Sequence, residues 1–105
     1  MEVFRPRSLD EALDALDAHP TATPLAGGTD LMVRANYQGF RPNAVVALRR
    51  VPELQEIDGA FIGAGATWSR LAFARWPGLA QAARTVGSPQ IRAAGTLGGN
   101  LGTAS

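Results

Sequence analysis

A single mixed α+β domain is what this sequence predicts, and three observations carry the prediction. Its 105 residues leave room for one domain. Short apolar runs of strand length alternate with short amphipathic stretches of helical period. A hydrophobic share of 46% against 18% charged residues is the balance of a chain that buries a core, not of a disordered one.

In chain order, Val3 to Arg5 reads as a short strand stopped by Pro6. Ser8 and Glu11 have the spacing of a capping box, so a helix starts there. Leu9, Ala12, Leu13 and Leu16 form its apolar face, and Asp10, Glu11, Asp14 and Asp17 its solvated one. His19, just before Pro20, falls at the C-terminal end of that helix. Thr23 to Ala26 is a short strand running into Gly27-Gly28, after which Thr29-Asp30 open a second helix to about Tyr37, stopped by Gly39 and Pro42. Ala44 to Leu48 is an apolar run suited to burial on both faces. Gln55 to Asp58 and Ala60 to Ile62 flank a tight turn at Asp58-Gly59. Thr67 caps a helix bearing Trp68, Leu71, Phe73 and Ala74, which Pro77-Gly78 breaks; Leu79 to Val86 make another, ended by Gly87. From Gly87 onward Gly, Ser, Pro and Ala dominate, with Ile91, Leu97 and Leu101 as apolar anchors.

Composition excludes several chemistries. No cysteine is present, so this chain offers no disulfide, thiolate nucleophile or iron–sulfur ligand. All ten basic residues are arginine, which removes Schiff-base chemistry and the Walker A lysine. A single histidine cannot build a histidine-rich metal centre. The net charge of +1 and scattered arginines argue against nucleic acid. Arg49-Arg50, the one adjacent pair, reads as a solvated strand end. The opening residues lack a signal-peptide pattern, and no apolar run reaches membrane-spanning length; a cytoplasmic protein without membrane insertion is expected.

Three glycine clusters remain. Leu25-Ala26-Gly27-Gly28-Thr29-Asp30-Leu31 lies where a strand yields to a helix, a geometry that aims main-chain N–H groups at an anion. Thr29 adds a hydroxyl donor, and Asp30 is expected to cap the helix. A strand-to-helix turn without ligand fits this run equally well. Thr96-Leu97-Gly98-Gly99-Asn100 pairs two glycines with a polar side chain on either side, and predicts an anion nest pinned between Leu97 and Leu101. Gly63-Ala64-Gly65 begins like a Rossmann fingerprint, but Trp68 stands at the third glycine position, so these glycines read as turn residues. Two such loops suit the pyrophosphate and long body of a dinucleotide; neither follows the Rossmann or Walker pattern, so a dinucleotide bound here is held by another fold.

LAGGTDL at 25–31 and GSPQIRAAGTLGGNL at 87–101 resemble the two flavin-binding signatures of the FAD subunit of carbon monoxide and xanthine dehydrogenases, members of the molybdenum hydroxylases. SLDEALDAL at 8–16 and VALRRVPELQEI at 46–57 are similar to the same subunit, and the likeness runs from about Phe4 to Ser105. The resemblance implies the N-terminal subdomain of the FAD-binding fold shared with the vanillyl-alcohol oxidase and p-cresol methylhydroxylase flavoproteins. It implies FAD as cofactor, with Leu25 to Leu31 around the pyrophosphate and Thr96 to Asn100 as a second wall. No catalytic acid, base or nucleophile and no metal ligand is implied in this chain. Molybdenum-pterin belongs to a large partner subunit and iron–sulfur clusters to a small one, with flavin passing electrons onward to an acceptor. The family's subunit continues through a second flavin-contacting subdomain and a C-terminal domain, so residues 1–105 correspond to its first part. A remnant or interaction module that does not retain FAD alone is the alternative expectation.

Overall fold

The computed structural model describes residues 2–28, 39 and 41–103. Three strands form one parallel sheet: β1 (Glu2–Phe4), β2 (Thr23–Leu25) and β3 (Ala44–Ala47), in the order β1-β3-β2. The register pairs Phe4 with Val46 and Leu25 with Ala47, so all three strands end along the same edge. The central strand is the most apolar one. Its Val45 and Val46 are buried although they point to opposite faces, as the uninterrupted apolar run predicts.

Helix α1 (Leu9–Ala18) links β1 to β2. The Ser8 hydroxyl accepts the Glu11 N–H at 3.1 Å, while the Glu11 carboxylate accepts the N–H of Arg7, one residue earlier than a capping box requires. Of the expected apolar face, Ala12 is buried and Leu16 packs on Ala22, Ala44 and Val46; Leu9 and Leu13 are exposed. Asp10, Glu11, Asp14 and Asp17 face solvent as expected. His19 follows the helix and stacks on Phe4 at 4.3 Å, tying the end of α1 to β1. The helix expected over Thr29 to Tyr37 lies outside the described residues.

A second core is helical. Ala66, Trp68, Leu71, Ala72 and Ala83 form it, with Ile57, Ile62, Leu79, Val86 and Leu97 packed around them. It is built by α2 (Trp68–Leu71), α3 (Pro77–Ala83), α4 (Pro89–Ala94) and α5 (Leu97–Thr103). Apart from α1, the α-helices follow the strands along the chain, and the mixed α+β expectation holds.

Several local expectations are corrected. Pro77 opens α3 instead of breaking a helix, because a first-turn proline lacks only an N–H that would have no helical partner anyway. Gln55 to Asp58 is not a strand: a 3-10 helix occupies Pro52–Gln55, and only Ile57 and Ile62 pair, across the expected turn. The Gly-, Ser-, Pro- and Ala-rich stretch after Gly87 carries two helices, α4 and α5. Ser88 caps α4 through the Ile91 N–H at 3.2 Å, and Thr96 caps α5 through the Gly99 N–H at 3.0 Å. Phe73 and Leu101 are 88% and 75% exposed, and Ile91 is exposed too, so of the expected anchors only Leu97 reaches the core.

The 3-10 helix is tied to α1 at Glu53, whose carboxylate accepts the Leu9 N–H at 3.0 Å. That bond holds the Glu53 pKa below its ordinary value. A carboxyl group lowered by folding stabilises the fold above its unfolded pKa, and that contribution disappears as pH falls through the lowered folded value. Glu53→Gln is therefore expected to lower the thermal midpoint at neutral pH, with the two proteins converging in acid. Midpoints measured across that range check this; a constant offset in acid would refute it.

Candidate flavin site

Both glycine runs open into one hollow. A cavity of about 880 Å³ lies between the sheet edge and the helical core, lined by Leu25, Ala26, Gly27 and Gly28 on one side and Thr96, Gly98, Gly99 and Asn100 on the other. Leu97 turns away into the helical core. Thr29, Asp30 and Leu31 lie outside the described residues, as does the cap expected of Asp30.

Close main-chain packing brings the runs together. A Cβ on Gly27 would stand 2.6 Å from the carbonyl carbon of Ala94, and closer still to its oxygen. Gly27 is thus a glycine because the backbone before α5 rests on it. Gly28 has φ +79°, a conformation that favours glycine, while a Cβ there would meet only Leu25 at 3.6 Å. On the facing wall a Cβ on Gly98 would press Ala64, with its Cβ at 2.7 Å and its carbonyl oxygen at 2.8 Å. Both glycine pairs therefore serve the fold as well as the hollow.

The second run is the first turn of a helix, not the open nest expected from sequence; neither Gly98 nor Gly99 has a positive φ. Its main-chain donors are engaged: Leu97 N–H to Ala66 O (3.0 Å), Gly98 N–H to Ala64 O (2.8 Å), Gly99 N–H to Thr96 Oγ1 (3.0 Å) and Asn100 N–H to Thr96 O (3.1 Å). Trp68 Nε1 donates to Asn100 Oδ1 at 3.1 Å, which fixes the Asn100 amide because the indole can only donate. Trp68, the residue that spoils the Rossmann pattern, so braces a wall of the cavity.

Sequence reading missed two parts of this wall. Gly65, set aside as a turn residue, lines the cavity together with Ala64; Gly65 N–H donates to Leu54 O at 2.6 Å. Arg5, Arg49, Arg50 and Arg70 also line it, and no described lining residue is an aspartate or glutamate. Arg70 reaches the Gln55 carbonyl. The Arg49-Arg50 pair was legible only as a solvated strand end, because its relation to the glycines depends on strand order.

The size is right for a cofactor, since pockets of roughly 300–1,000 Å³ hold such ligands. The cationic, carboxylate-free lining suits an anionic group. Among the described residues no cluster of His, Cys, Asp or Glu could hold a metal ion, and no helix is long and apolar enough to cross a membrane.

The family model for the FAD binding domain in molybdopterin dehydrogenase matches residues 1–105. The chain belongs to this family. Among similar curated proteins, the FAD subunit of nicotinate dehydrogenase from Eubacterium barkeri is 38% identical over 115 residues, covering 99% of this chain and 39% of the relative. The medium chain of carbon monoxide dehydrogenase from Hydrogenophaga pseudoflava is 33% identical, with 95% and 38% covered. Among solved structures, this FAD-binding domain superposes on quinoline 2-oxidoreductase from Pseudomonas putida 86 with a TM-score of 0.88 at 31% identity, over 96% of this chain and 39% of that one. Carbon monoxide dehydrogenase from Hydrogenophaga pseudoflava gives a TM-score of 0.87 at 31% identity, again over 96% and 39%. The chain therefore spans about two-fifths of the length of the relatives it matches.

Proposed function

We propose that this chain holds the diphosphate and ribityl portion of FAD, as the first part of the flavin-binding component of a molybdenum-hydroxylase-type oxidoreductase in the cytoplasm. The observation that carries this is the meeting of residues 25–28 with Thr96, Gly98, Gly99 and Asn100 in one cationic cavity. Leu25, Ala26, Gly27 and Gly28, continuing through Thr29, Asp30 and Leu31, are assigned to the diphosphate. Thr96, Gly98, Gly99 and Asn100 are assigned to the facing wall, with Leu97 as its anchor in the core. Because the amides of 97–100 are already hydrogen bonded, that wall acts by shape and through side chains. Main-chain donation is left to the first run, at the end of β2.

When bound, the flavin supplies electron transfer between iron–sulfur clusters and an acceptor, and the protein positions it. The chain's own residues contribute no acid, base or nucleophile to that chemistry. The partners proposed are a large subunit with molybdenum-pterin and a small subunit with iron–sulfur clusters. Residues 1–105 are proposed to need a second flavin-contacting portion, as in relatives more than twice as long, and to be inactive without it.

A chimera tests this. The matching segment of the Hydrogenophaga medium chain is replaced by this chain, and flavin retained after purification is measured by absorbance. Retention near the parent's level is expected, with clearly weaker binding by the isolated chain. A folded chimera devoid of flavin would reject the proposal in favour of a module that does not retain FAD.

A further inference from the structure

The glycine runs do not account for the charge in the cavity. β1, β2 and β3 run the same way, so the chain leaves each of them at the same edge of the sheet. Arg5 follows β1 directly, Arg49 and Arg50 follow β3, and Gly27-Gly28 follow β2. With β3 in the middle, the arginine pair stands between Arg5 and the glycines. All of these residues line the cavity. Arg5, Arg49 and Arg50 are exposed and make no ion pair among the described residues. Cations gathered in one hollow with no facing carboxylate repel one another unless an anion joins them. Guanidinium groups suit phosphoryl oxygens, to which they donate two parallel hydrogen bonds.

We infer that Arg5, Arg49 and Arg50 form a diphosphate-reading edge, which binds nucleoside diphosphates through their phosphates whether or not a flavin ring is attached. This rests on the FAD reading above and names the groups that supply its charge. The Arg5–Arg50 edge takes ADP as well as FAD, and rejects adenosine and riboflavin, which lack the diphosphate.

The test is an NMR titration of the full chain, following arginine Nε–H signals and the Gly27 and Gly28 amides, with millimolar FAD, ADP, adenosine and riboflavin in turn. FAD and ADP are expected to move these signals, and adenosine and riboflavin to leave them in place. Replacing both Arg49→Ala and Arg50→Ala should weaken FAD and ADP at least about tenfold, the loss of one charge-assisted hydrogen bond. That difference should shrink near 1 M salt, where the screening length is about 3 Å. Arg7→Ala, exposed and outside the cavity, serves as the control and should bind like wild type. Equal FAD affinity in the double variant, riboflavin binding without ADP binding, or no shift with either diphosphate overturns the inference. Flavin retention in the chimera decides the FAD reading separately, so the two can fail independently.

Discussion

Gly27→Val is expected to destabilise the chain by about 3 kcal/mol or more, at the upper end of the range for overpacked sites. A Cβ added at Gly27 would run into the carbonyl group of Ala94 and the Cα of Gly95, so the obstacle is main chain and no side-chain rotation relieves it. The strand end and the α4–α5 junction must part, which disturbs the cavity that both line. At about 4–8 °C per kcal/mol for a domain near this size, the thermal midpoint falls by more than about 10 °C. Gly28→Ala provides the comparison. Its added Cβ meets only Leu25 at 3.6 Å, and its penalty comes from φ +79°, worth roughly 1–2 kcal/mol. Calorimetric midpoints of the two variants check the order. A Gly27 variant as stable as the Gly28 variant would show that the contact between the two runs is not maintained in solution.

Trp68→Ala is expected to cost about 3–5 kcal/mol, the range for emptying a large aromatic site in a core. The indole is buried in the cluster with Ala66, Leu71, Ala72 and Ala83. Trp68→Phe separates packing from hydrogen bonding. It keeps most of the apolar volume but removes the donor to Asn100 Oδ1, a loss of about 1 kcal/mol. In the chimera, Trp68→Phe should also lower flavin affinity, since the Asn100 Oδ1 then loses the indole donor that braces it. Unchanged affinity with a lowered midpoint would confine Trp68 to a structural role.

Where a feature depends on neighbours in sequence, it could be read directly. The Ser8 cap, the doubly buried β3 and the Thr67 cap each rest on a few adjacent residues, and each is present. The errors came from residues with two local meanings. Pro77 read as a breaker but occupies a first turn, where proline is favoured. Gly98 and Gly99 read as an open nest, yet Thr96 caps them into a helix held against Ala64. Glycine is a poor helix former in isolation, and here close packing on that neighbour requires it.

Sequence by itself determined the family, the positions of the two glycine runs and the absence of thiol and lysine chemistry, because these are properties of residue identity and order. Tertiary structure alone decided that the runs face one hollow, that Trp68 braces Asn100, and that Arg5, Arg49 and Arg50 line the same hollow as the first glycine pair. The physical reason is strand order: β3 enters the sheet between β1 and β2, and main-chain contact between Gly27 and Ala94 closes the space opposite it. Both are long-range packing outcomes, set by which apolar faces cover one another and not by the preference of any single segment.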